Sequence, residues 1–368
     1  MTAEQQYITS EAAIDLLCEL IATPSVSRDE SAAATVVFDW LNSHGITANR
    51  HNNNVWAVHS HFDHKKPTLM LNAHLDTVKP SPSYTRNPFD ATRIDDRIYG
   101  LGSNDDGGSV VSLVATFCNL QNAQLPFNLL LALSSEEEVS GENGMRSLLP
   151  HLSSLGIKPN MALVGEPTAM QPAIAERGLI VLDGEAKGAT GHAARNEGIN
   201  ALYIALDDIN TLRNLQFDRT SPTLGDIKVT VTQIEAGRQH NVVPESCRFV
   251  VDVRTTDAYT NEQTHKILSA AIKSQLNARS YRIRASVIEE SHPMVKAAIE
   301  QGKTPFVSPT TSDMALMPDF PTLKMGPGES SRSHQADEYI LESEIEQAID
   351  SYADFINRLA KHYSNRGN

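Results

Sequence analysis

Three observations predict an α/β fold in which a mostly parallel sheet, with helices on both faces, is interrupted by an inserted ferredoxin-like α+β unit. Short apolar runs alternate with helical patterns between Thr68 and Val164. That alternation gives way to amphipathic strands after Pro172, and helix-and-loop character returns after Glu290. Alternating strands and helices build a parallel sheet, because each crossover needs a helix to return the chain to the same edge.

The elements follow in order. From Ser10 the stretch A-A-I-D-L-L-C-E-L-I carries apolar residues at helical spacing and stops before Pro24. A second helix is expected from Ser31 to Asn42. Leu69 to Asn72, Leu129 to Ser134 and Met161 to Val164 read as buried strands, with a helix from Gly108 to Leu120 and a short one near Gly144 to Leu149. The polar stretch His61 to Pro67 reads as a turn. Gly178 to Lys187 then alternates as a strand, and Asn200 to Leu215 is an amphipathic helix with Leu202, Ala205, Leu206, Ile209 and Leu212 on one face. Strands are expected at Ile227 to Ile234 and Arg248 to Thr255, then a helix from Glu262 to Ala278 and a strand from Tyr281 to Val287. The order βαββαβ is that of the split-βαβ module. Leu341 to Leu359 closes the chain as a helix. The expected division is a first α/β segment at 1–175, an inserted α+β domain at 176–288, and a second segment of the α/β domain at 289–368.

Bulk properties narrow the function. The 368 residues are enough for two domains, 40% are hydrophobic, and no apolar run is long enough to span a bilayer. The 31 basic and 45 acidic residues leave a net charge of −14, which argues against a nucleic-acid or anionic-membrane partner. Cys18, Cys118 and Cys247 are scattered without C-x-x-C pairing, as in a reducing compartment. The polar, acidic start M-T-A-E-Q-Q-Y-I-T-S-E is unlike a signal peptide, so the expectation is a cytoplasmic protein.

Several apolar runs end in metal-binding residue types. His74 and Asp76 follow Leu69 to Leu71, Glu136, Glu137 and Glu138 follow Asn128 to Ser134, and Glu166 follows Leu163-Val164-Gly165. Asp105 ends the turn Y-G-L-G-S-N-D, and His334 lies in G-P-G-E-S-S-R-S-H. Strand ends of an open α/β sheet meet in one crevice, and a set of two imidazoles with several carboxylates suits zinc, cobalt or manganese. Each element alone has a plainer reading. H-x-D also occurs in surface turns, Asp105 is also a helix cap, and the Glu triplet is also a solvated helix start.

Together these motifs resemble the dinuclear zinc amidohydrolases of the M20 peptidase group, among them acetylornithine deacetylase and succinyl-diaminopimelate desuccinylase, and they do so over nearly the full length. The H-x-D motif is similar to His74-Leu75-Asp76, the D-E-E motif to Glu136-Glu137-Glu138 with Gly141 beyond it, and G-E-P-[ST] to Gly165-Glu166-Pro167-Thr168. In the insertion, G-H is matched by Gly191-His192, N-x-[IV]-P by Asn241-Val242-Val243-Pro244, and D-x-R by Asp252-Val253-Arg254. The chain departs from the pattern at Leu101 and Gly107, where the group often has Arg and Lys, and at Glu136, where Asp is common.

The resemblance implies two zinc ions per subunit, with cobalt or manganese as further candidates. One would be held by His74 and Glu166, the other by Glu138 and His334, with Asp105 bridging. It implies Glu137 as general base, Asp76 steadying His74, and His192 at the substrate carbonyl in the partner subunit's site of a homodimer formed through the insertion. Asn241 and Arg254 would bind substrate, the alternative for Arg254 being a strand-edge ion pair with Asp252. The expected reaction is hydrolysis of a small N-acyl-L-amino acid, an N-acetyl- or N-succinyl-ornithine or -citrulline of arginine biosynthesis. Diaminopimelate desuccinylase and dipeptidase are the alternatives within the group, and a non-catalytic binding relative is the alternative outside it.

Overall fold

The computed structural model describes residues 7–195 and 197–364, so the first residues of the polar N-terminal stretch lie outside the described part. The chain divides into two compact units. One takes the described residues up to Ile174, then Ile288–Phe306 and the chain from Ser312 onward, while the other takes Ala175–Val287 and Val307–Thr311.

In the first unit the sheet runs in the order Asn49–His51, Asn54–Val58, Asn128–Ser134, Thr68–His74, Met161–Val164 and Thr322–Lys324. The last four of these are mutually parallel, and the first two form an antiparallel edge hairpin that the sequence reading did not assign, although Val55-Trp56-Ala57-Val58 is an apolar run. Strand residues alternate between two separate cores, as a two-residue period dictates. Leu69, Leu71, Leu129, Leu131 and Leu133 pack with the helices Ser10–Ile21, Ser31–Ser43, Gly108–Asn119 and Glu342–Ser364. Met70, Leu130 and Ala132 face the opposite way, onto Met145, Leu148 and Leu152 of the helix Met145–Ser154 and onto Met314 and Met317. That helix is longer than its sequence pattern predicts and carries Pro150 in its interior. Both faces of the parallel strands are thereby covered, which explains why they are apolar throughout. A second, three-stranded sheet pairs Arg97–Tyr99 with both Thr92–Ile94 and Tyr339–Leu341.

The other unit is the split-βαβ module. Its strands lie in the order Lys228–Ala236, Ser246–Thr255, Gly178–Lys187 and Gln275–Ala278, all antiparallel. Helices Ala201–Asn214 and Asn261–Ala271 supply Ala201, Ala205, Leu212 and Leu268 to its core. The expected helix to Ala278 and strand from Tyr281 are corrected here. The second helix ends at Ala271 because the Asp208 carboxylate accepts the backbone N–H groups of Lys273 at 3.1 Å and Ser274 at 2.7 Å, which turns the chain into the last strand early. Among the described residues no helix is long and apolar enough to cross a membrane.

Candidate metal centre

The parallel strands of the first unit end on one edge, and there the predicted side chains meet. His74 is the last residue of its strand and is 3% exposed. Its Nε2 lies 3.1 Å from Asp105 Oδ1 and 4.0 Å from Glu137 Oε2. The other Asp105 oxygen, Oδ2, lies 3.7 Å from His334 Nε2, which is itself 3.0 Å from Glu138 Oε1. Asp105 therefore turns one oxygen toward each imidazole. Ligand atoms of His74, Asp105 and Glu138 all lie within 4.8 Å of one another, as do those of His74, Glu137 and Glu166. Donors sharing one zinc at about 2.0–2.2 Å are roughly 3.3–3.6 Å apart in tetrahedral geometry. The spacings present fit divalent cations with no large rearrangement.

The electrostatics point the same way. Burial pushes Glu137 well above the usual carboxylate range, and the nearby Glu166, Asp313 and Glu138 reinforce the shift against the opposing pull of His74. Asp106 is likewise raised by burial and by Glu166 and Asp105. Burial alone would depress the His74 imidazole, yet Asp105 and Asp76, with Glu137 and Asp106, hold its pKa well above the ordinary value. The Glu138 hydrogen bond lifts His334 to about 9, opposed by its partial burial. Acids crowded until some retain protons are acids that bound cations would return to the carboxylate form.

Backbone geometry explains how the acidic turn is built. Glu136 takes a left-handed conformation at φ 56°, and its carboxylate turns away from the centre to accept from Asn143 N at 3.2 Å and Nδ2 at 2.8 Å. Gly141 is required beside it, since a Cβ there would overlap the Glu136 side chain. The N–H groups that follow the strand are each accepted by a distant side chain: Ser135 by Asn54 at 3.0 Å, Glu136 by Glu30 at 3.2 Å, Glu137 by Asp76 at 2.9 Å and Glu138 by Asp76 at 3.2 Å.

Asp76 stands beside His74 and holds the acidic turn as well. The His74 Nδ1 hydrogen bond runs to the Asp76 main-chain oxygen at 2.9 Å, with the carboxylate at 3.5 Å. The carboxylate also accepts from the Glu137–Glu138 turn and from the Ser27 hydroxyl at 2.7 Å.

Three predicted residues belong to the other unit. The Gly191-His192 and Asn241-Val242-Val243 motifs are brought together there, with Gly191 opposite Val243 and His192 opposite Val242 on a short antiparallel ladder. Ala193 N–H donates to the Asn241 carbonyl at 3.0 Å. His192 is exposed, and its Nδ1 accepts the Ala194 N–H at 3.2 Å, so the neutral ring carries its proton on Nε2. Arg254 forms the ion pair that was its alternative reading, with Nε at 2.8 Å and Nη2 at 3.2 Å from the two Asp252 oxygens.

Sequence reading missed four buried acids around the centre. Glu30 carried no signal at all, being 106 residues from Glu136 in sequence. Asp106 was overshadowed by its neighbour Asp105, and its Oδ2 accepts the His74 N–H at 3.2 Å. Asp313, raised by burial to about 6, accepts from the Ser134 hydroxyl at 2.6 Å. The Ser312 cap on Met314 N–H was its one local cue. Glu338 ends the acidic pair after His334 and holds the Asp105 turn.

Comparison with known proteins agrees with this architecture. The model of Peptidase family M20/M25/M40 matches residues 70–358. Acetylornithine deacetylase of Edwardsiella ictaluri is 28% identical over 89% of this chain and 92% of its own length. The Shigella sonnei enzyme of the same name is 26% identical with the same coverage. Among solved structures, an aminopeptidase of Bacillus cereus superposes with a TM-score of 0.75 at 16% identity, over 96% of this chain and 100% of that one. A dinuclear metal binding peptidase of Bacillus subtilis gives 0.71 at 16% identity, over 96% and 98%. The chain belongs to Peptidase family M20/M25/M40 and is a metal-dependent hydrolase.

Proposed function

We propose that this hydrolase removes the acyl group from a small N-acyl-L-amino acid, an N-acetyl- or N-succinyl-ornithine or -citrulline, in arginine biosynthesis. The observation that carries the substrate class is the match to acetylornithine deacetylases, which extends over 89–95% of the chain rather than over the metal motifs alone. Three free cysteines, Cys18, Cys118 and Cys247, are consistent with action in the cytoplasm.

In this reading His74 and Glu166 would hold one divalent cation and Glu138 and His334 the other, with an Asp105 oxygen available to each. Zinc fits the mixed imidazole and carboxylate donors. Two bound cations supply Lewis acidity, which raises the acidity of water and polarises an amide carbonyl. Glu137 then takes the proton of the attacking water as its oxygen bonds to the carbonyl carbon. As the C–N bond breaks, Glu137 returns that proton to the departing amine. His192 donates Nε2–H to the carbonyl oxygen, where negative charge develops. Asn241 lies beside it on the same ladder motif. Recognition of the substrate α-carboxylate by Arg254 requires its fork to leave Asp252 or to use the remaining Nη1.

We further propose a homodimer through the inserted unit, in which His192 serves the partner subunit. The Lys228–Ala236 strand lies at the edge of its sheet, and Tyr203 and Leu206 on the neighbouring helix are 65% and 48% exposed.

The deciding experiment measures amine release from acetyl- and succinyl-ornithine, citrulline and diaminopimelate, and from dipeptides, alongside the metal content of the protein. Turnover confined to the ornithine and citrulline compounds supports the proposal. Preference for succinyl-diaminopimelate or dipeptides replaces the substrate.

A further inference from the structure

Glu338 is 2% exposed, and its carboxylate is turned onto backbone. Oε2 accepts the Gly102 N–H at 3.1 Å, and Oε1 accepts those of Asn104 and Asp105, each at 2.9 Å. The turn so held is the one that presents the Asp105 carboxylate. Its own geometry is irregular: Gly102 sits at φ 75°, and Asp105 and Asp106 have non-helical backbone angles just ahead of the helix that starts at Gly108. Nothing in a regular ladder therefore fixes Asp105, and external acceptors must do so.

Delivery of Glu338 follows from the small sheet. Tyr339–Leu341 pairs with Arg97–Tyr99, and the Gly100 N–H continues the ladder by donating to the Glu338 carbonyl at 2.9 Å. The same segment carries His334, whose Nε2 faces the second Asp105 oxygen. Asn104 fastens the upstream end, donating to the Glu329 carbonyl at 3.1 Å and accepting the Glu329 N–H at 3.1 Å. The two ligand-bearing segments are thus laced together, with the acid of one gripping the backbone of the other.

We infer that Glu338 is a positioning residue that sets the Asp105 carboxylate between His74 and His334, so that cation binding at this centre depends on it. The inference rests on the metal-centre reading above. Glutamine at this position offers one acceptor oxygen. Either it keeps the Asn104 and Asp105 N–H groups and turns an NH₂ against the Gly102 N–H, or it does the reverse.

The test titrates metal-free protein with cobalt(II) chloride, follows the visible d–d absorption, and records thermal unfolding of the metal-free form in parallel. Glu338→Gln is expected to bind at least one cobalt equivalent about 10–100-fold more weakly than the unsubstituted chain, with an altered d–d spectrum. Glu344→Gln is the structural control. Glu344 lies in the first turn of the Glu342–Ser364 helix and accepts from Arg332 Nη1 at 2.7 Å and Leu341 N at 2.9 Å, not from the Asp105 turn. It should lower the Tm and leave the cobalt titration and spectrum unchanged. If Glu338→Gln is not recovered folded, Glu338→Asp, which keeps the charge but draws it back by one methylene, is read in the same way. A cobalt titration and spectrum identical to the unsubstituted chain overturns the inference, as does an equal spectral change in Glu344→Gln. An unsubstituted chain that takes up no cobalt removes the metal-centre reading, and this inference with it.

Discussion

The phenol of Tyr352, buried on the C-terminal helix, donates to the main-chain oxygen of Met325 at 2.8 Å. Met325 follows the Thr322–Lys324 strand, and its own N–H donates to the Val164 oxygen at 2.9 Å. The next residue, Gly326, lies so close to Glu166 that a Cβ there would stand 2.5 Å from the Glu166 oxygen. One hydrogen bond from the closing helix therefore secures the turn against which a candidate metal ligand rests. Tyr352→Phe leaves that carbonyl without its donor and should cost about 1–3 kcal/mol, measured by urea unfolding. Unchanged stability would show that the turn is held by its packing alone.

Asp76→Asn tests the acidic turn. Asparagine keeps one acceptor and sets an NH₂ against the N–H of Glu137 or Glu138, a loss of about 1–3 kcal/mol. Turnover should fall as well, because Glu137 and Glu138 are displaced together. Ser27→Ala removes only the hydroxyl contact at 2.7 Å and should cost less, about 0.5–1.5 kcal/mol. The comparison of the two denaturation curves checks which contact matters.

Glu137→Gln separates proton transfer from cation binding. Metal content should stay near that of the unsubstituted chain, while kcat falls about 10²–10⁴-fold. Loss of metal in this variant, with Glu138→Gln retaining it, would exchange the two roles.

A pH effect is expected away from the centre. His59 is 1% exposed, and burial, with the nearby His61 and Lys66, depresses its pKa to about 4. The unfolded chain takes up this proton near pH 6.5, whereas the folded chain resists until about 4, so stability falls as pH drops through that window. Between pH 7 and 5 this one group accounts for roughly 2 kcal/mol. Urea melts at the two pH values should show a smaller loss for His59→Gln than for the unsubstituted chain, and equal losses would assign the effect to other groups.

Co-expression of Glu137→Gln and His192→Ala subunits, each inactive alone, tests the shared site. With random pairing half of the dimers are mixed, and each mixed dimer has one whole site if His192 crosses over. About a quarter of full activity should then return. Background activity would place His192 in its own subunit's site.

Local pattern was enough to identify the fold class and most of the side chains that meet at the candidate metal centre. A strand buried on both faces reads as an apolar run wherever it lies, and a histidine or carboxylate at its end stands out against that run. His74, Glu137, Glu138 and Glu166 were legible for that reason, and the βαββαβ order gave away the inserted unit.

What the tertiary structure alone decided is which groups hold the ligand loops in place. Asp76 and Glu137 are 61 residues apart, Glu30 and Glu136 are 106 apart, and Asp105 and Glu338 are 233 apart. The early end of the second helix of the insertion has the same origin, since Asp208 reaches across 65 residues to Lys273. Irregular backbone at a sheet edge has no partners of its own, so its N–H groups must find acceptors from elsewhere. Those acceptors are ordinary acids in sequence, and only the packing that buries them reveals what each one holds.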